Sequence, residues 1–256
     1  MSRLIAVTGK GGVGKTTVCA LLIKGLIDAG NAPVLAIDAD PNSCLDAALG
    51  VRAAETVGRM REDVRNSQES GVNISKKELL RLKIEQGLVE APGFDLIAMG
   101  RPEGEGCYCY ANNVLKNVIS EISSQYPYVV LDNEAGLENL SRRIVQKADL
   151  LILVSDASNS GLTTLLRLHG LAAEMGLKYK KLAIVINRLR DGRLPERTAE
   201  IREKTGANII AGLPDDGEIA AIAEQNGNLL EISYGNPVLN ILYETILRPE
   251  FNNLNK

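Results

Sequence analysis

Two stretches carry residues whose types and spacing can do chemistry. The first, GKGGVGKTT at 9–17, fits G-x-x-x-x-G-K-[ST]. Gly9, Gly11, Gly12 and Gly14 let the backbone on either side of Val13 turn its N–H groups around phosphate oxygens, and a following helix would add its partial positive charge. Lys15 would then reach the β- and γ-phosphates of a nucleotide. The Thr16 hydroxyl would ligate Mg²⁺, with Thr17 beside it in the cradle. The second stretch is GCYCY at 106–110, which holds Cys107 and Cys109, two of the four cysteines, behind the Gly- and charge-rich run GRPEGEG. Thiolates are soft donors that suit Zn²⁺ and can hold Ni²⁺. In an extended segment residues i and i+2 face the same side, so both sulfurs would approach one ion. Two thiolates fill half of a tetrahedral site, and a two-fold-related copy of the chain would supply the other half.

The remaining candidates are weaker. Cys19 and Cys44 read best as packing residues, although Cys44 could serve as a transient ligand. The single histidine, His169, lies in LLRLHGL with no ligand types clustered near it in sequence. It reads as a satisfied or surface residue.

Positioning these groups requires strands and helices in alternation, and the sequence supplies them. Short apolar runs at 4–7, 33–38, 94–99, 128–132, 150–154, 182–187 and 208–213 suit strands buried on both faces. Helical segments are expected at 16–29, 112–124, 138–147, 160–175 and 195–205, and the capping box SKKE at 75–78 starts another near Ser75. The pattern predicts an α/β fold with a single doubly wound, mostly parallel sheet flanked by helices. We expect one domain over 1–256, with a charged helical insertion around 51–90 and a metal-binding loop around 100–112. Three carboxylates fall at strand ends: Asp38 and Asp40 in AIDADPNSC, and Asp132 in VVLDNEAG. Placed beside the phosphate loop, such groups can hold Mg²⁺ directly or through water. Asp38 can instead cap the turn that follows it.

Composition narrows the class. The chain has 256 residues, 45% hydrophobic and 24% charged, as in an ordinary soluble protein. A net charge of −3 offers no basic face for nucleic acid. No apolar run approaches the roughly 20 residues of a membrane span, and the start shows no signal peptide. We expect a cytoplasmic protein that binds neither nucleic acid nor membrane.

The second lysine of the loop, Lys10, makes GKGGVGKTT resemble the deviant Walker A loop of the nitrogenase iron protein, septum-site and partition ATPases and metal-cluster assembly ATPases. The resemblance implies an ATPase that dimerises face to face, Lys10 reaching the partner's nucleotide. It assigns Asp40 to orienting the attacking water and Asp132 to the surroundings of the metal. Asn187, in VINR with Arg188, matches the position that reads the adenine edge. DPNSC and NEAG match two segments that shift on loss of the γ-phosphate. The C-Y-C pair together with DPNSCL and NEAGLENLSRR resembles the CooC-type nickel-insertion ATPases, over nearly the full chain. That likeness implies a homodimer handling Ni²⁺, or Zn²⁺ in the same site, for a carbon monoxide dehydrogenase or acetyl-CoA synthase client. The segment DNEAGLENLSRR lacks the cysteine that the iron protein carries there, which speaks against electron transfer through a shared iron–sulfur cluster.

Overall fold

The computed structural model describes residues 2–66, 74–100, 108–136 and 147–251, with 108–115 described by backbone alone. Eight strands form one sheet in the order β3-β4-β2-β5-β1-β6-β7-β8. They are β1 (Arg3–Gly9), β2 (Val34–Asp38), β3 (Val89–Ala91), β4 (Phe94–Ala98), β5 (Tyr128–Asp132), β6 (Lys147–Asp156), β7 (Lys178–Leu189) and β8 (Ile209–Pro214). Every pairing is parallel except β3 with β4. The expected doubly wound, mostly parallel sheet is what forms.

The apolar runs form strands because both faces of the sheet are covered. Ile5 and Val7 of β1, with Leu150, Ile152 and Val154 of β6, enter one core, and Ala6, Leu151 and Leu153 enter the other. Successive side chains alternate across a strand, so a strand buried on both sides must be apolar at every position. The first core is closed by α1 (Lys15–Asp28), whose residues 20–23 are fully buried, with Leu45 of the short α2 (Leu45–Ala48) buried beside it. The second is covered in part by α5 (Tyr108–Ser123) and α6 (Asn159–Glu174), with Val118, Ile119, Leu162 and Leu165 buried.

Several expectations shift. The charged segment after residue 51 forms α3 (Val57–Asn66) and α4 (Lys76–Gln86), and Ser75 Oγ accepts the Glu78 N–H at 3.2 Å. The pair also buries Val57, Met60, Val64, Leu80 and Ile84 in the core. Strand β3, absent from the reading above, turns into β4 through Pro92 and Gly93. Gly93 has φ 88°, the left-handed position that favours glycine. The helix expected at 138–147 falls on residues outside those described, except Lys147, which opens β6. The extended geometry assigned to the C-Y-C pair does not hold at Cys109, which lies in the first turn of α5. Cys107 lies outside the described residues.

Beyond β8 the chain forms helical packing that sequence periodicity does not reveal: helix Pro237–Leu242, a π-helical turn Tyr243–Leu247 and helix Arg248–Phe251. Leu242, Ile246 and Leu247 are fully buried in the core closed by α1. A Cβ on Gly25 of α1 would sit 2.7 Å from Leu247 Cδ1, so the close helix contact depends on that glycine. This segment is part of the core. Leu242→Ala should therefore lower unfolding free energy by about 2–5 kcal/mol, read from the urea midpoint at unchanged m-value.

Candidate functional site

The carboxyl ends of the parallel strands gather the candidate residues along one edge of the sheet, with β1 between β5 and β6. Gly9 ends β1 opposite Val154, and a Cβ there would lie 2.2 Å from the Val154 carbonyl oxygen. No larger residue fits. Gly12 and Gly14 have φ of 77° and 91°, so the loop curls through left-handed positions before α1 begins at Lys15. Gly14 is the N-cap and offers no side chain to the first-turn N–H groups. A curled loop feeding an uncapped helix start is a cradle for phosphate. Lys15 is 8% exposed, and its Nζ donates to the Lys10 carbonyl at 3.4 Å. Thr17 stands half-buried one residue past Thr16 in the same turn.

Thr16 Oγ1 donates to Asp132 Oδ2 at 2.6 Å. The other carboxylate oxygen, Asp132 Oδ1, is buried and has no hydrogen-bond partner. Burial raises the Asp132 pKa to about 6, against the opposing Thr16 hydrogen bond and the Lys15 charge. An orphaned acceptor beside a threonine hydroxyl suits a hard cation with its waters, so Thr16 and Asp132 fit Mg²⁺. Beneath them Cys19 is fully buried, and burial and the neighbouring Asp132 push its thiol well up. It is a neutral packing group.

Asp38, next to Asp132 in the sheet, has a different task. Its Oδ1 accepts the Asp40 N–H at 3.0 Å and its Oδ2 the Leu45 N–H at 2.9 Å. It thereby braces the whole 39–45 turn, in which Ser43 holds φ 46°. Burial raises its pKa to about 7, with the Leu45 N–H pulling the other way. Asp40 itself is half-buried at the rim, its Oδ1 accepting the Asn42 N–H at 2.9 Å. Cys44 is exposed on the same turn.

Lys10 is exposed, with Nζ 3.5 Å from Ser160 Oγ at the start of α6. Asn187 is 8% exposed, and its Nδ2 donates to the Val13 carbonyl at 2.9 Å. Arg188, at φ 58°, donates from Nη1 to the Gly12 carbonyl at 3.3 Å. The structure thus brings Lys10, Lys15, Thr16, Asp40, Asp132, Asn187 and Arg188 to one edge. It does not bring the cysteine pair to them in described form, since nothing is described of either thiol. Among the described residues no cluster of three or more His, Cys, Asp or Glu could hold a metal ion. His169 pairs with Tyr179 Oη at 3.2 Å.

Sequence reasoning missed two contributors. Asn133 is buried and donates from Nδ2 to the Val7 carbonyl at 3.0 Å, tying β5 to the root of the loop. Ser158 caps α6 by accepting the Gly161 N–H and is itself anchored on Asp156. The signal for the second was the run DASNS just past a strand, a cap pattern before a helix.

The raised pKa of Asp38 has a measurable consequence. A carboxyl whose folded pKa lies above its unfolded value favours the folded state fully below pH about 4. That contribution is lost as pH rises towards 7. Asn cannot lose a proton, so Asp38→Asn should gain stability relative to the parent between pH 4 and 7. The gain is at most about 4 kcal/mol, levelling off above pH 7. Urea unfolding of both nucleotide-free proteins across that range measures the difference. A gap independent of pH would contradict it.

Comparison with known proteins agrees with this geometry. Residues 4–230 match the family model described as the CobQ/CobB/MinD/ParA nucleotide binding domain. An uncharacterised ATP-binding protein of Methanocaldococcus jannaschii is 44% identical over 220 residues, 85% of this chain and 86% of its own length. The carbon monoxide dehydrogenase accessory protein CooC of Rhodospirillum rubrum is 31% identical over 236 residues, 87% of each chain. Among solved structures, a ParA family ATPase from Chlorobium tepidum superposes with a TM-score of 0.72 at 18% identity, covering 95% of this chain and 96% of that one. The glycine cradle, the buried lysine and the family match lead to one conclusion: this chain belongs to the CobQ/CobB/MinD/ParA family of ATP-binding P-loop ATPases.

Proposed function

We propose that this ATPase is a metallochaperone that uses a nucleotide-gated homodimer to load nickel into the active-site cluster of carbon monoxide dehydrogenase or acetyl-CoA synthase. The observation that carries the reading is the 31% identity, over 87% of both chains, to a carbon monoxide dehydrogenase accessory protein. The C-Y-C pair at 107–109 agrees with it, because two thiolates are soft donors for Ni²⁺ or Zn²⁺. Among the described residues no helix is long and apolar enough to cross a membrane.

In this reading the backbone of residues 9–17 holds the phosphates of ATP, and Lys15 leaves the Lys10 carbonyl for the β- and γ-phosphates. Asp40 orients the water that attacks the γ-phosphorus as the bond to ADP breaks. Mg²⁺, when held by Thr16 with Asp132 behind it, offsets the phosphate charge. Lys10 leaves Ser160 and reaches the nucleotide of the second protomer, so neutralisation of the developing charge requires the closed dimer. Asn187 keeps its Nδ2 on Val13, which leaves Oδ1 to accept from an adenine amino group. Cys107 and Cys109 of the two protomers together would make a four-thiolate site, so metal binding and dimer closure favour each other.

The two lysines separate cis from trans roles. Lys15→Ala should weaken ATP binding and stop hydrolysis. Lys10→Ala should keep binding and lose turnover by a factor on the order of 10³. Parental turnover by Lys10→Ala would exclude the face-to-face mechanism.

The cysteine pair tests the cargo. Equilibrium dialysis with light scattering should give one Ni²⁺ or Zn²⁺ per two chains. Affinity should fall as pH drops below the ordinary thiol pKa of about 8.5, since thiols must ionise to bind. Cys107→Ser with Cys109→Ser should abolish that binding and leave nucleotide binding intact. ATP-dependent binding to liposomes or DNA, with no tight metal site, would replace this reading with a positioning role of the septum-site or partition kind.

A further inference from the structure

We infer that Arg188 is a positioning residue that works through the phosphate loop's own backbone, as one half of a clamp made by the end of β7. Asn187 Nδ2 holds the Val13 carbonyl at 2.9 Å and Arg188 Nη1 holds the Gly12 carbonyl at 3.3 Å. These are consecutive carbonyls in the loop, gripped by consecutive residues some 175 positions away. A trans peptide is planar, and its C=O and N–H point in opposite directions. Holding the Gly12 carbonyl on the β7 side turns the Val13 N–H away from β7. Holding the Val13 carbonyl does the same to the Gly14 N–H. The clamp therefore aims two donors into the concavity before any phosphate arrives.

Three further observations agree. Gly12 and Gly14 sit at φ 77° and 91°, the left-handed residues that flank Val13 in this curl. A Cβ on Gly14 would lie 2.5 Å from Asn187 Nδ2, so Asn187 occupies the space that any side chain there would need. Arg188 itself holds φ 58°, a conformation that costs a non-glycine residue energy and persists only where surroundings enforce it. That left-handed step directs an exposed side chain back to the loop, whereas an ordinary strand residue would continue along β7.

A preorganised cradle does not need to be ordered by its ligand, so the clamp acts on affinity. It holds equally in ground state and transition state, which places its effect in binding and not in kcat. The inference rests on the phosphate-cradle part of the function proposed above and is independent of metal delivery.

The test compares the parent with Arg188→Gly and Arg188→Lys. Glycine adopts φ 58° freely, so Arg188→Gly removes the guanidinium without straining the backbone. Calorimetric titration uses ATP and inorganic tripolyphosphate, the second having no base. Arg188→Gly should weaken both by about tenfold, the size of one charge-assisted hydrogen bond. Its kcat at saturating ATP should stay within about twofold of the parent, and Arg188→Lys should recover part of the affinity. Loss of ATP affinity with unchanged tripolyphosphate affinity would overturn the clamp, because Arg188 would then act on the base. Unchanged affinity for both, or a loss confined to kcat, would overturn it as well. A parent that binds neither ligand would remove the cradle itself, and the clamp with it.

Discussion

A loop that binds phosphate with its N–H groups must send its carbonyls elsewhere, and each of those carbonyls needs a partner. Much of this architecture follows from that constraint. The Gly9 carbonyl accepts from the Gly136 N–H at 3.1 Å, and the Gly14 carbonyl from the Val18 N–H at 3.0 Å. The Lys10 carbonyl takes Lys15 Nζ, Gly12 takes Arg188 and Val13 takes Asn187. The partners come from the segment after β5, from α1 and from the end of β7. A parallel sheet is what brings these distant pieces to one edge, and its two apolar cores hold that edge rigid.

The same edge concentrates negative charge. Asp38 and Asp132 are register partners on adjacent strands, both fully or almost fully buried. Burial is the leading cause of both raised pKa values, about 7 and about 6, so ionising either carboxyl here costs more than it does in water. Two backbone N–H groups answer Asp38, which makes it a structural brace. Asp132 has one hydroxyl partner and one orphaned oxygen, which marks it for a cation. Two carboxylates of the same type at the same height in the sheet thus divide into scaffold and site by what their second oxygen touches.

This division explains what the sequence makes legible. The apolar strands announce themselves because burial on both faces leaves no polar alternation to confuse them, and GKGGVGKT carries its own geometry in its glycines. Strand β3, at three residues, is too short to register as a strand beforehand. The helices after β8 are invisible to periodicity because their apolar residues meet α1 in short, broken turns. The partners of Asn187 and Arg188 lie 174 and 176 residues away, so no local pattern can reveal a contact with loop carbonyls. Resemblance alone puts Asn187 at the adenine. The geometry shows its Nδ2 already engaged, with only the oxygen left for such a task.

Lys10 joins these threads. Its carbonyl receives Lys15 Nζ, and its side chain rests near Ser160 on the exposed rim. One residue therefore meets the internal lysine through its backbone and the outer face through its side chain. In the proposed cycle, a nucleotide that draws Lys15 Nζ to its phosphates also releases the Lys10 carbonyl. The peptide on which Lys10 stands is then free to reorient as its side chain turns outward. Under that proposal, occupancy of one site and presentation of a cation to the other would be two ends of a single hydrogen bond. No longer path through the core would be required, because in that cycle the loop that reads the phosphates also faces the second protomer.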